Sequence, residues 1–192
     1  ITGTIRLPDT LKYLGDNAFY GCQKISGQFI VPRDLEYIGI NCFKDVGFNK
    51  IDFTRNIAIE AILDNAFMNC KKMSGGLVFP STLKYVGPNA FNGCEYITNI
   101  VLNEGLEFVG TNAFSNLKSY KDNNNTSKYN LVIPSSCKFL GGNLVYNYET
   151  KTATFSNTDI ISAFNDTAFN SFLIAKNNPS FTLSDSKTIV FK

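Results

Sequence analysis

Short segments of alternating apolar and polar residues recur along the chain, and each gives way to a turn. Proline follows four of them, and because proline has no N–H donor it suits the exit of a strand. The alternation predicts β-strands with one face turned inward. The segments end at Leu7, Val31, Phe53, Phe79, Leu102 and Ile133. The residues predicted to face the core are Ile5/Leu7, Phe29/Val31, Ile51/Phe53, Leu77/Phe79, Ile100/Leu102 and Leu131/Ile133.

A longer motif repeats with these strands. Leu83–Cys94 reads LKYVGPNAFNGC, and Leu11–Cys22 reads LKYLGDNAFYGC. Phenylalanines recur at spacings of 24, 24, 24 and 23 residues, at Phe19, Phe43, Phe67, Phe91 and Phe114. A fixed period of this size is typical of a solenoid. We therefore predict an α/β repeat fold, in which each turn holds a strand, a bend and a compact helical or irregular return.

Two further positions recur within each turn. An aromatic–aliphatic–Gly step occurs five times, and its glycine predicts a turn with an unusual backbone angle. Asparagine follows two residues later, at Asn17, Asn41, Asn65, Asn89, Asn112 and Asn143. Asparagine before an Ala-Phe step can cap a helix, or the column can form a hydrogen-bonded ladder. Both alternatives are structural.

The repeat pattern extends toward the C-terminus. Phe53 and Phe67 lie 14 residues apart, as do Phe155 and Phe169, so the late segment matches an irregular early repeat. We predict one solenoid domain over residues 1–192, with about seven turns of ~24 residues. The polar stretch 119–128 is expected to be an inserted surface loop. The last residues, 181–192, are expected to form a terminal hairpin. Because the chain begins within a repeat, we interpret it as a piece of a longer protein.

Composition excludes several classes of function. The net charge of +2 comes from scattered Lys and Arg, which disfavours a nucleic-acid partner, and no apolar run is long enough to enter a membrane. Histidine is absent and the five cysteines form no CxxC pair, so we expect no metal and no cofactor. All five cysteines fall at predicted core positions. We expect free thiols, with a Cys70–Cys94 disulfide as the alternative.

Catalytic chemistry has no evident centre. The carboxylates of Glu60, Asp64, Glu104 and Glu107 could pair for acid–base work, but no spacing singles out a pair. A nucleophilic cysteine would lack a histidine to activate it. We therefore predict a protein that is not an enzyme.

The repeat motif resembles the BspA-like, or Treponema pallidum-type, leucine-rich repeats. Their pattern, a proline after the strand and then L-x-x-I-G-x-x-A-F-x-G-C-x-x-L, is matched at Leu83, Val86, Gly87, Ala90, Phe91, Gly93, Cys94 and Ile97. The first repeat matches equally, and the segment 176–181 resembles the family's frequent ending. The departures are Cys42 in the alanine column, Leu144-Val145 in the Ala-Phe columns, and the insertion.

This resemblance implies a curved, right-handed leucine-rich-repeat solenoid. Similar proteins are mostly secreted or anchored at the cell surface, and often bind host proteins. The resemblance therefore implies an extracellular adhesin-type module that engages a host-matrix or cell-surface protein. The alternative is a structural spacer that holds another domain away from the surface and has no ligand of its own.

The outward residues of the strands are the candidate binding surface. They include an interrupted apolar stripe, and exposed apolar patches often mark interaction sites. β-branched residues also simply suit strands. These columns contain no aromatic residue, so no platform for sugar stacking is predicted. The candidate protein-binding residues are Ile30, Asp52, Val78, Val101, Val132, Gln28, Lys50, Asn99 and Asn130.

Overall fold

The protein's structure, a computed structural model, describes residues 3–117, 134, 136–140, 152–154 and 188–190. Ten of the described strands fall into two sets. One set has two-residue strands: β1 (Tyr13–Leu14), β3 (Tyr37–Ile38), β5 (Ala61–Ile62), β7 (Tyr85–Val86), β9 (Phe108–Val109) and β10 (Phe139–Leu140). The other set has longer strands: β2 (Gln28–Ile30), β4 (Lys50–Asp52), β6 (Ser74–Val78) and β8 (Tyr96–Val101). Two further strands are β11 (Thr152–Thr154) and β12 (Thr188–Val190).

The short strands form a single six-stranded parallel sheet in the order β1-β3-β5-β7-β9-β10. Each short strand pairs with the short strand one repeat later, as Tyr13 pairs with Tyr37, and Ala61–Ile62 takes the place of one aromatic–aliphatic step. The chain makes four complete turns between β1 and β9, with a further rung at β10. This register confirms the predicted solenoid. The aromatic–aliphatic–Gly steps were expected to lead into turns, but they form the continuous ladder of the solenoid.

The longer strands form the second side of the solenoid, here called the strand face. β2 pairs in parallel with β4, and β6 pairs with β8, but these are separate two-stranded sheets. Four strands are therefore present where the alternation predicts them. The segment ending at Leu7 contributes only an isolated bridge between Gly3 and Ile25. The segment ending at Ile133 lies outside the described residues.

Phenylalanines from successive turns stack through the core. The ring centroids of Phe19 and Phe43 are 5.2 Å apart, those of Phe43 and Phe67 are 5.3 Å apart, and those of Phe67 and Phe91 are 5.0 Å apart. These distances are close to the spacing of about 4.8 Å between neighbouring strands. The residues predicted to face inward on β2, β4, β6 and β8 are buried, whereas Ile5 and Leu7 are only partly buried.

The return segments contain no helix within the described part of the chain, so the α component of the predicted fold is not confirmed. They are turns held by hydrogen bonds between rungs: the N–H of Asn17 donates to the Ile40 carbonyl, and that of Phe19 donates to the Cys42 carbonyl.

The recurring asparagines of the repeat have left-handed backbone angles, with φ of 57° at Asn17 and 55° at Asn89. A helix N-cap has extended backbone angles, so the capping interpretation is wrong. The Asn89 side chain accepts a bond from the Asn92 amide at 3.0 Å within the same turn, so this bond does not link one rung to the next and the ladder alternative stays a prediction.

The glycine of the aromatic–aliphatic–Gly step has a different role from the predicted one. Gly15, Gly39, Gly87 and Gly110 have no positive φ, so the unusual backbone angle is not found. A Cβ at Gly39 would instead lie 2.7 Å from the backbone nitrogen of Asp16 on the previous rung. Glycine is therefore required by the close approach of adjacent turns.

Several C-terminal predictions lie outside the described residues. These are the insertion at 119–128, the later turns that bring the count to seven, and most of the hairpin at 181–192. The described strands there, β11 and β12, pair with each other in antiparallel register. Among the described residues, no helix is long and apolar enough to span a membrane.

Candidate functional site

The strand face brings most of the predicted binding residues into two adjacent columns. In register, Gln28 pairs with Lys50 and Ile30 pairs with Asp52. On the second sheet, Gly76 pairs with Asn99 and Val78 pairs with Val101. Because side chains alternate along a strand, all of these project from the same side. Val132 and Asn130 lie outside the described residues.

The apolar members of these columns are exposed to solvent. Val78 is 58% exposed, Ile30 47% and Val101 37%. Val78 and Val101 are neighbours on paired strands, whereas Asp52 separates them from Ile30. The structure thus confirms the outward orientation of the stripe and its interruption. Whether it binds a partner stays a prediction.

A cleft opens where the strand face is split between β4 and β6. The N–H of Ser74 donates to the Asn49 carbonyl at 2.9 Å, but the two strands form no ladder beyond this bond. The register of β6 also shifts between Gly75 and Gly76, and Gly75 has a φ of 84°. The resulting cleft has a volume of about 350 Å³. Phe53, Phe79 and Ile51 contribute to its lining, together with Lys50, Asp52 and Val78.

A second cleft of about 380 Å³ lies at the N-terminal end of the same face. There, too, the rung at residues 4–7 does not form a ladder with β2. Its lining includes Thr4, Arg6, Asp9, Gln28, Ile30 and Arg55. Arg55 reaches back across two turns to Asp9, with a guanidinium-to-carboxylate distance of 2.8 Å. Both clefts therefore occur where pairing between consecutive rungs is interrupted, a feature that the repeat pattern does not reveal.

Asp52 lies between the two clefts and is held as a carboxylate. Its oxygens accept bonds from the Thr54 hydroxyl and from the Thr54 N–H at 2.9 Å, and Gln28 donates to it at 2.7 Å. The Thr54 hydroxyl is the main cause that lowers the pKa of Asp52, with the Thr54 N–H next. Asp52 is thus a fixed negative charge on the strand face.

An aromatic column on the six-stranded sheet was not predicted as a surface feature. The rings of Tyr13 and Tyr37 stack with centroids 5.6 Å apart, and those of Tyr85 and Phe108 stack at 4.5 Å. Tyr13 is 59% exposed, whereas Phe108 is buried. Ala61 interrupts this column. The recurring aromatic position in the sequence was the available signal, but two-residue strands show no alternation that would orient it.

Ion pairs run beside the aromatic column. Lys12 pairs with Glu36 at 2.9 Å and Lys84 pairs with Glu60 at 3.2 Å, in each case between neighbouring rungs. The hydrogen bond from Lys12 is the main cause that lowers the pKa of Glu36. These ion pairs link neighbouring rungs of the six-stranded sheet. Because each joins a cation to a carboxylate, together they add no net charge to this surface.

The four carboxylates considered for catalysis have separate structural partners. Glu60 binds Lys84, and Glu107 binds Lys138 at 3.2 Å. Asp64 accepts a bond from the Tyr85 hydroxyl at 3.4 Å, and Glu104 accepts one from the Ser136 N–H at 3.2 Å. Each of these carboxylates is therefore engaged in a contact of its own with another rung.

The cysteines are free thiols, which agrees with the main prediction. Cys70 donates to the Phe43 carbonyl and Cys94 to the Phe67 carbonyl, each at 3.1 Å. Burial raises the pKa of Cys42 to about 12 and that of Cys137 to about 12. Cys22 is only partly buried, contrary to its predicted core position. Within the described residues, no group of three or more acidic or cysteine side chains could hold a metal ion.

Two solved structures align with the chain, and the first of them shares its fold. A leucine-rich cell surface protein from Faecalibacterium prausnitzii A2-165 aligns with a TM-score of 0.59 and 19% identity, covering 82% of this chain and 39% of that one. A leucine-rich repeat protein from Bacteroides ovatus ATCC 8483 aligns with a TM-score of 0.44 and 19% identity, covering 71% of this chain and 38% of that one. The chain thus spans about two fifths of these proteins. Comparison with curated proteins finds no match.

The repeat family itself is matched directly. The model of the BspA-type leucine-rich repeat region fits residues 2–121 in six copies, which is more than half of the chain. This range includes both clefts and the described part of the apolar stripe. The chain therefore belongs to the BspA-type leucine-rich repeat family.

Proposed function

We propose that the chain is a non-enzymatic, extracellular protein-binding module of adhesin type that engages a host-matrix or cell-surface protein through its strand face. The observation that carries this proposal is the joint occurrence of exposed apolar side chains and clefts on that face. Val78 and Val101 form an exposed apolar pair, and Val78 also lines the cleft between β4 and β6. Apolar pockets with polar rims are typical anchor sites in protein interfaces.

The proposed extracellular location rests on likeness to a solved structure. The F. prausnitzii protein, which shares the fold, is described as a cell surface protein. Free thiols, four of them buried, are compatible with either an oxidising or a reducing compartment, so the cysteines do not identify the compartment.

The second candidate is a spacer with no ligand of its own. The six-stranded sheet favours it, because the ion pairs and stacked rings of that sheet are satisfied within the chain. A spacer needs a stable solenoid but has no use for an exposed apolar pair. The strand face therefore distinguishes the two candidates.

The test is binding of the 192-residue chain to immobilised fibronectin, fibrinogen and whole host cells. We expect saturable binding that falls at least tenfold in the double variant Val78→Lys/Val101→Lys, because two charges would be placed in the apolar contact. The matched control is Ile40→Lys/Ile57→Lys. Those residues are 38% and 58% exposed, compared with 37% and 58% for Val101 and Val78.

The outcomes separate the candidates. Loss of binding in the valine variant with retention in the isoleucine control supports the strand face. A folded chain that binds none of these surfaces supports the spacer. Equal loss in both variants contradicts a specific role for the strand face.

A further inference from the structure

The N-terminal cleft carries positive charge on an apolar lining. Arg6 and Arg55 contribute two guanidinium groups, and Asp9 contributes one carboxylate. Asp9 is already engaged, since it binds Arg55 at 2.8 Å and accepts the Arg33 N–H at 3.3 Å. Arg6 is exposed and forms no ion pair with another residue that the structure describes. The cleft therefore retains an uncompensated positive charge.

Aliphatic groups surround this charge. Ile30 is 47% exposed at the edge of the cleft, and the partly buried Ile5 and Leu7 line it. A guanidinium beside exposed aliphatic groups is complementary to a carboxylate that has an apolar side chain next to it. Arginine is well suited to this, because its planar fork can bind a carboxylate through two hydrogen bonds.

We propose that this cleft recognises an acidic side chain, Asp or Glu, flanked by aliphatic residues in the partner protein. The carboxylate binds Arg6, with Arg55 as the second donor, and the aliphatic neighbour packs on Ile30. This inference rests on the proposed function and adds the chemical class of the partner segment.

The next rungs limit where the acidic residue can lie. Asp52 follows Ile30 in the outward column and is a fixed carboxylate that Thr54 and Gln28 hold in place. A second carboxylate over that position would be repelled, since like charges at close range are unfavourable. Beyond Asp52, Val78 and Val101 offer only apolar contact. We therefore expect the partner segment to be acidic where it contacts the N-terminal cleft and apolar where it lies over β6 and β8.

The test uses a defined probe, the blocked peptide acetyl-Leu-Glu-Leu-amide, titrated into the full chain and followed by NMR. We expect saturable shifts of the Arg6 and Arg55 side-chain N–H signals. The glutamine counterpart, acetyl-Leu-Gln-Leu-amide, should bind about tenfold more weakly, because a hydrogen bond to a charged group contributes more than a neutral one. Raising the salt concentration should weaken only the glutamate peptide.

Two variants make the test specific. Arg6→Ala should weaken binding of the glutamate peptide about tenfold. Lys12→Ala removes an exposed cation that lies beside the other sheet and should leave binding unchanged. Equal affinity for both peptides, or the absence of any saturable shift with a folded chain, overturns the inference. If the valine variant still abolishes protein binding in that case, the proposed function stands without the acidic preference.

Discussion

Adjacent rungs approach closely at the glycine of the aromatic–aliphatic–Gly step. At Gly39 and Gly87 a Cβ would meet backbone atoms of the previous rung at 2.6 to 2.7 Å. At Gly15, on the first turn, the same addition would meet nothing within 4 Å. The recurrence of this glycine was evident in the sequence. Its physical reason was not, because a repeated glycine is equally compatible with a positive φ and with a close contact.

This contrast predicts unequal effects of one substitution. Gly39→Ala should lower the free energy of unfolding by about 1–3 kcal/mol or more, because backbone cannot move aside as a flexible side chain can. Gly15→Ala should change it by less than about 0.5 kcal/mol. Urea unfolding of both variants measures the difference. Equal effects at the two sites would contradict the close-approach explanation.

Burial of Cys42 predicts a specific loss of stability at alkaline pH. The pKa of this thiol is raised from 9.0 to about 12, so the folded state favours the neutral form. Its contribution is fully present below pH 9 and is lost as the pH rises toward 12. Relative to Cys42→Ala, the wild type should lose about 1.4 kcal/mol of unfolding free energy between pH 8 and pH 10.

Alanine is a suitable replacement, since it occupies the same column at Ala66 and Ala90. Other titrating groups are common to both chains, so the comparison isolates this thiol. Unfolding curves in urea at each pH give the two free energies. A difference between the chains that stays constant from pH 8 to pH 10 would show that the Cys42 thiol is not shielded from ionisation.

At the scale of elements, the aromatic column of the six-stranded sheet grows more buried along its length. Phe108 is buried and stacks on both sides, at 4.5 Å from Tyr85 and 4.6 Å from Phe139. Phe108→Ala should therefore cost about 3–5 kcal/mol. Tyr13→Ala removes an exposed ring that stacks on Tyr37 and donates to Glu36, and it should cost about 1 kcal/mol. Thermal or urea unfolding tests this, and similar losses would contradict the gradient.

The longer strands were predictable and the short ones were not. Alternation over segments such as that ending at Val31 orients each side chain, and the structure follows it on β2, β4, β6 and β8. A two-residue strand such as Tyr13–Leu14 has no period to detect, so its pairing arises only from stacking of the whole repeat. The clefts were also unpredictable, because they depend on where consecutive rungs fail to pair.

At the scale of the whole molecule, the solenoid has two unlike surfaces. The six-stranded sheet pairs its charges and stacks its rings internally, whereas the strand face leaves Ile30, Val78 and Arg6 exposed around two clefts. The sequence predicted the outward orientation of Ile30, Val78 and Val101, because alternation along a strand fixes the direction of each side chain. It could not predict the charge of the N-terminal cleft, since Arg55 comes from a different turn than Asp9 and Arg6.

The most direct test of the binding face is hydrogen–deuterium exchange of the full chain with a captured matrix protein such as fibronectin or fibrinogen. We expect added protection at residues 28–30, 50–52, 76–78 and 99–101, with exchange at the Tyr13 and Tyr37 strands unchanged. Protection confined to the six-stranded sheet, or none with any partner, would contradict the strand face as the binding surface.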